Sequence, residues 1–173
     1  MRGTTRGSPP RVSTSEIAWS WIGGFLGITA LAWFNHLVFE GTDLSMMIGS
    51  YGASAVLAYG AVRSPLAQPR NLVGGHIVSA IVGVICWKLL HQYPLLAEAM
   101  AVATAIALMH ATRTLHPPGG ATALIAVIGS AKIHQMGFLY VLVPATIGPL
   151  ILLAVAVVVN NIPKSRRYPE IWF

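Results

Sequence analysis

Two short stretches hold most of the residue types that can do chemistry. One is Arg113 followed, after Thr114-Leu115, by His116-Pro117-Pro118-Gly119-Gly120-Ala121. The other runs from Arg63 through a proline-containing stretch to Arg70-Asn71 and then Gly74-Gly75-His76. Proline is favoured at the first position of a helix and excluded from its interior, so Pro117-Pro118 open a helix. The unpaired N–H groups and partial positive charge of that helix start face back toward Arg113. Gly119 and Gly120 carry no side chain, so a small ligand can approach the backbone closely. Two such starts, ringed by Arg63, Arg70, Arg113, His76 and His116, would make a cavity favourable to an anion. The competing reading is that the glycine pairs serve helix packing and the arginines only mark a membrane edge. The stretches share their order: an arginine, a proline turn, a glycine pair, then a helix rich in small residues. Gly74-Gly75 matches Gly119-Gly120, and Gly83 matches Gly129 with one residue inserted. Both units run in the same direction, which describes a parallel internal repeat about an axis near the membrane normal.

Other polar residues are weaker candidates. His36 and Glu40 stand one helical turn apart, but zinc wants three or four ligands, so an interfacial polar edge is the plainer reading. His110 and Glu98 fall within the fourth apolar run, where an ionisable group is a candidate for moving protons. A hydrogen bond from His110 to a neighbouring carbonyl, or a wet position for Glu98, explains them as well. There is no nucleophile–base arrangement, phosphate loop, CxxC motif or carboxylate pair placed for hydrolysis. The expectation is a non-enzyme without cofactor or metal.

The elements that must position these residues are set by composition. Of 173 residues 55% are hydrophobic and 9% charged, against about 25% charged in a soluble domain. So few charges cannot coat a folded body in water, which argues against a soluble enzyme, a secreted disulfide scaffold or a disordered chain. Cys86 has no second cysteine to pair with. The basic residues sit at the edges of apolar runs and form no basic-aromatic module, so the expected partner is the lipid bilayer and not nucleic acid.

Six apolar runs follow an arginine-bearing N-terminal arm: Ile17–Phe39, Leu44–Val62, Leu72–Leu90, Leu95–Thr112, Pro117–Ala131 and Gly137–Val159. The first is too long for a signal-peptide core and reads as a retained span; a transit peptide is the weaker alternative for the arm. The fifth run reaches only about 22 Å at 1.5 Å per residue, short of a hydrocarbon core of roughly 30 Å, so it either crosses beside a polar cavity or re-enters. Six crossings put nine basic residues on one side, Lys88 and Lys132 on the other, and place both termini in the cytoplasm. The expected fold is therefore all-α: a polytopic bundle of about six segments. A flexible basic arm (1–16) precedes the transmembrane domain (17–160), and a free basic tail (161–173) follows it. Small residues four apart mark close helix contacts at Gly23/Gly27, at Gly75/Ser79/Gly83 and at Ala99/Ala103/Ala107/Ala111, within one chain or between copies in a homo-oligomer. Trp19, Trp21, Trp33, Trp87, Tyr93, Tyr140 and Trp172 are expected as interfacial anchors, and Pro144 with Gly148-Pro149 as the cause of a kink.

The string Leu115-His116-Pro117-Pro118-Gly119-Gly120-Ala121-Thr122-Ala123 resembles the signature of the HPP family of integral membrane proteins. Gln68-Pro69-Arg70-Asn71 with Gly74-Gly75-His76 resembles a second stretch of that family, and the likeness extends over about residues 17–160. The family is usually described with four spans, two fewer than the apolar runs counted above. Because its members include nitrite transporters of chloroplasts and cyanobacteria, the resemblance implies transport of a small inorganic anion, nitrite first. His116 and the backbone of Pro118–Ala121 would contact the anion, and Arg70 and Arg113 would attract it. A bacterial inner membrane is the expected location. The rival expectation is a non-transporting membrane subunit or scaffold; a polar cavity reaching both glycine pairs favours the first, a closed bundle the second.

Overall fold

The computed structural model describes residues 11–39 and 47–172. Its elements are α1 (Thr14–Phe39), α2 (Met47–Ala55) continuing into a π-helical turn (Val56–Gly60), a 3₁₀ turn (Pro65–Ala67), α3 (Pro69–Leu90), α4 (Pro94–Ala111), α5 (Pro117–Ile128), the short α6 (Ala131–Met136) and α7 (Leu139–Leu142), a second π-helical turn (Val143–Ile147) and α8 (Gly148–Val159). No strand occurs among the described residues. Proline opens α3, α4 and α5, where its missing N–H is one the helix leaves unpaired anyway.

Among the described residues four helices are long and apolar enough to cross a membrane: Thr14–Val38, Pro69–Leu90, Pro94–Ala111 and Leu139–Val159. The remaining two runs are shorter than that. Pro117–Ile128 has 12 residues. The run expected to span over Leu44–Val62 is described as helix only from Met47 to Gly60, after which Ala61 leaves helical geometry at φ −127 and ψ 51. Among the described residues the six-segment count therefore resolves into four long helices and two short ones, α2 and α5, which lie against each other: Ser50 of α2 donates to Pro118 O of α5 at 2.8 Å.

The segments alternate in direction. The start of α1, the end of α2, the starts of α3 and α5, and the ends of α4 and α8 gather at one end of the bundle. Contacts at that end join residues far apart in sequence: Arg166 to Glu16, Asn160 to Ala58 O, Asn71 to Leu115 O and Tyr168 to Ala67 O. Arg63, Arg70 and Arg113 share this end. Lys88 lies at the other end, its Nζ 5.9 Å from the centre of the Phe138 ring.

Three details depart from the sequence expectations. The alanine stripe that packs α4 on its neighbours is Ala97, Ala101 and Ala105, all fully buried, whereas Ala99, Ala103, Ala107 and Ala111 are exposed. Both sets repeat every four residues, so spacing alone does not choose the inner face. Tyr140 is no interfacial anchor; it is fully buried and donates to Thr122 O at 2.8 Å. Nor is the basic tail free. Arg166 is buried, reaches Glu16 Oε1 at 2.7 Å and donates to Asn160 Oδ1 at 2.9 Å and Ser20 Oγ at 2.8 Å. The same ion pair fixes Glu16, which belongs to α1 and not to a flexible arm. Burial also raises the pKa of Tyr168, whose hydroxyl donates to Ala67 O at 2.7 Å.

The glycines of α1 and α8 seat side chains. Tyr59 fills the notch at Gly23 and Gly27, and Tyr51 fills the one at Gly148. Tyr59 donates to Leu152 O at 2.9 Å and Tyr51 to Pro144 O. The interruption expected around Pro144 is present as the π-helical turn Val143–Ile147, a frequent cause of helix kinks.

Candidate functional site

The two proline-led helix starts lie side by side. A Cβ built on Gly75 would sit 2.5 Å from His116 Cβ, and one on Gly74 would sit 2.7 Å from Thr114 Cγ2. Further along, a Cβ on Gly119 would lie 2.6 Å from Ser79 Oγ and 3.0 Å from Gly75 O, and one on Gly83 would lie 2.5 Å from Ala123 O. The contacts climb both helices together (75 with 116, 79 with 119, 83 with 123), so α3 and α5 pack parallel through their small residues. Gly120 differs from its neighbour: a Cβ there would meet only Val102 Cγ1, at 3.9 Å.

Beside this seam runs a buried chain of polar side chains: Ser50, Ser54, His76, His116 and Thr122, none more than 1% exposed. Ser54 Oγ lies 2.8 Å from both His76 Nε2 and His116 Nε2. His76 Nδ1 lies 2.7 Å from Thr122 Oγ1, which lies 2.8 Å from Ser50 Oγ. His116 Nδ1 lies 2.8 Å from Leu66 O. A carbonyl only accepts, so His116 carries its proton on Nδ1 and, as a neutral ring, accepts at Nε2 from the Ser54 hydroxyl. That uses the one proton of Ser54, so His76 donates to Ser54 from Nε2 and accepts at Nδ1 from Thr122. Ser50 then donates to Thr122 or to Pro118 O, both at 2.8 Å. Every group is satisfied, which is what burial of polar atoms in an apolar bundle demands.

Above the chain, at the arginine-rich end, a cleft of about 160 Å³ is lined by Pro65, Gln68, Arg70, Asn71, Arg113 and Ile171. Arg70 Nη2 donates to Thr112 O and Asn71 Nδ2 to Leu115 O, each at 2.8 Å; both hold the loop that carries His116. Arg113 has φ +57. Thr114 N donates to Met109 O at 2.8 Å and Arg113 N to His110 O at 3.1 Å, which closes α4 with a Schellman motif. Glycine is the usual residue at that left-handed position, and any other side chain costs roughly 1–2 kcal/mol. An arginine held there at the rim of a cleft is a strained residue in a place where strain and function often coincide.

Of the residues singled out by sequence, Arg70, Asn71, Arg113, Gly74, Gly75, His76, His116, Pro118 and Gly119 come together. Arg63 does not join them: its side chain is 76% exposed, donates to Ser165 O and faces Glu170 at 3.9 Å, in a separate pocket with Glu16, Arg166 and Arg167. Pro117 and Ala121 are exposed. The cavity expected to reach both glycine pairs is replaced by direct contact at Gly75 and Gly119, and both ring nitrogens of His116 are engaged. His110 is exposed and one residue from the end of α4. Glu40 lies outside the described residues, and among those described no three His, Cys, Asp or Glu side chains gather to hold a metal. Sequence reading missed Ser50, Ser54 and Tyr51, which stand in apolar runs with no spacing to mark them, and Thr122, which stands inside the signature; it placed Tyr140 at the interface, where the structure buries it. It also passed over His134, stacked on Trp87 at 3.6 Å between ring centroids and donating to Val127 O.

The family model for the HPP transmembrane region matches residues 9–169. Two curated transmembrane proteins of Dictyostelium discoideum are similar throughout. One is 48% identical over 96% of this chain and 54% of its own length; the other is 45% identical over 95% of this chain and 59% of its own length. The chain thus spans somewhat over half the length of these relatives. No solved structure matches it. With the signature His116-Pro117-Pro118-Gly119-Gly120 at a buried helix start, four membrane-length helices and a match over nearly all its residues, the chain is an integral membrane protein of the HPP transmembrane family.

Proposed function

We propose that this protein carries a small inorganic anion across its membrane, with nitrite the leading substrate. The observation that carries the reading is the cleft in which Arg113, held in a left-handed conformation, faces the same space as Arg70, directly over a satisfied chain of five buried polar side chains. Polar and ionisable groups inside a membrane bundle are expensive and by default functional. Two guanidiniums draw and hold the anion at the cleft. The first turn of α5, bare at Gly120, presents the positive end of its helix dipole once the anion passes inward. Because Gly75 and Gly119 are in contact, passage requires α5 to move against α3, the kind of rocking that internal repeats allow. Under this reading the arginine-rich end faces the cytoplasm, and no covalent step is involved.

The second reading, a non-transporting membrane subunit, draws support from the same contacts, since Gly75, Gly83 and Gly119 are filled by neighbouring atoms. Purified protein in liposomes loaded with unlabelled nitrite separates the two. A carrier accelerates entrance of labelled nitrite by counterflow over protein-free liposomes, with nitrate and formate as competitors to rank selectivity. A subunit or scaffold gives the protein-free rate.

A further inference from the structure

We propose that the buried His76–Ser54–His116 unit takes up one proton with each monovalent anion, making transport an electroneutral proton–anion symport. This rests on the carrier reading above and names its coupling ion. The direction of the hydrogen bonds sets a path for the proton. Leu66 O fixes His116 as the Nδ1–H form, and the donors leading to it then point one way: Thr122 toward His76, His76 toward Ser54, Ser54 toward His116. A proton reaching the Thr122 end is passed on without any heavy atom moving far. His76 Nδ1 takes the Thr122 proton while Thr122 is reprotonated from the hydronium side. His76 then gives its Nε2 proton to Ser54, and Ser54 gives its own to His116 Nε2. The proton comes to rest on His116 as an imidazolium with both nitrogens donating, and the net change is one N–H bond formed and one hydronium consumed.

The unit holds one such charge and not two. The rings stand 5.1 Å apart between centroids, in an apolar bundle where two like charges repel strongly. His116 caps α5, so its imidazolium adds a positive charge beside the first turn where the anion is to bind. An anion neutralises that charge, and the pair crosses with none in excess. The titratable and charged groups facing the unit supply no negative counter-charge. Tyr51 of α2 lies 5.7 Å from His76 between ring centroids. Tyr140 of α7 donates to Thr122 O, and Tyr168 of the C-terminal segment donates to Ala67 O. Arg70 and Arg113 line the cleft above. No carboxylate stands among these described groups, so the counter-charge for an imidazolium has to come from the anion.

The test uses the whole protein in liposomes that contain a pH dye, with labelled nitrite outside and protein-free liposomes subtracted. Proton and anion entrance are read together. The proposal expects about one proton per nitrite, acceleration by an inside-alkaline pH gradient, and no response to a potassium-valinomycin potential at equal pH. Nitrite entrance with no accompanying proton, or driven by the potential alone, overturns the proposal and leaves the carrier reading standing; no nitrite entrance at all overturns both. Ser54→Ala, which removes the bridge and leaves both rings, is expected to abolish the response to the pH gradient in protein that melts as wild type does. A Ser54→Ala protein still driven by the gradient overturns the relay. Nitrogen-15 spectra of histidine-labelled protein check the same network without transport, with the His76 and His116 signals identified among the six histidines by their loss in His76→Asn and His116→Asn: His116 as the Nδ1–H tautomer and His76 as Nε2–H is expected, and the same tautomer at both contradicts it.

Discussion

Gly119 and Gly120 are indistinguishable as letters, yet the structure gives them opposite responses to a single methyl group. In Gly119→Ala the new Cβ would lie 2.6 Å from Ser79 Oγ, 3.0 Å from Gly75 O and 3.0 Å from Met109 Sδ. Ser79 is short and fully buried and Gly75 O is backbone, so relief requires α3 and α5 to separate. Overpacking of this kind costs about 1–3 kcal/mol. In Gly120→Ala the nearest atom is Val102 Cγ1 at 3.9 Å, an ordinary contact, and replacing glycine within a helix gains up to about 1 kcal/mol. Both variants gain that preference, so they should differ by the overpacking alone, about 1–3 kcal/mol. Thermal unfolding in detergent, read by tryptophan fluorescence and by the monodisperse fraction on size exclusion, should show Gly119→Ala clearly below wild type and Gly120→Ala at or above it. Equal melting of the two would refute the parallel α3–α5 seam. Gly120→Leu extends the comparison: it should stay folded and lose uptake, because its side chain fills the open space at the positive end of the α5 dipole. Normal uptake by that variant would remove the α5 backbone from the pathway.

Four further outcomes are expected. Arg166→Gln should destabilise by about 2–3 kcal/mol in the same melting assay, less than the 3–5 of a fully buried pair, because the Glu16 side chain is 30% exposed. Arg113→Gly should melt higher by about 1 kcal/mol through relief of the left-handed backbone, and should transport roughly tenfold less through loss of one charge-assisted contact. Arg113→Gln should show the same transport loss without the stability gain; a gain in transport from either variant would contradict the cleft assignment. Tyr140→Phe should lose about 0.5–1.5 kcal/mol, one hydrogen bond to Thr122 O, and an unchanged melt would place its hydroxyl outside the network.

How far the fold was legible depended on whether a feature was local. Proline at a helix start is a local preference, and Pro69, Pro94 and Pro117 all mark one. The glycine repeat was readable because both copies lie in the chain, and the two copies meet as parallel helices. The inner face of α4 was not readable, since two alanine sets share one period and only the neighbours on α3 and α5 select between them. Ser50 and Ser54 were hidden because a hydroxyl within an apolar run carries no signal until its partners, 22 to 72 residues away, are brought beside it. Arg166 was misread for the same reason: its carboxylate partner, Glu16, is supplied by the opposite end of the sequence. The candidate site was thus legible as a pair of helix starts, and its interior chemistry was not.

The claim that matters most is that an anion crosses this bundle by way of the arginine cleft. Saturable entrance of labelled nitrite into liposomes holding the wild-type protein, compared with the double variant Arg70→Gln/Arg113→Gln at equal protein content and equal melting temperature, measures it directly. Saturable uptake by wild type and loss of most of it in the double variant are expected. Uptake by wild type at the protein-free rate, or undiminished uptake by the double variant, would contradict it.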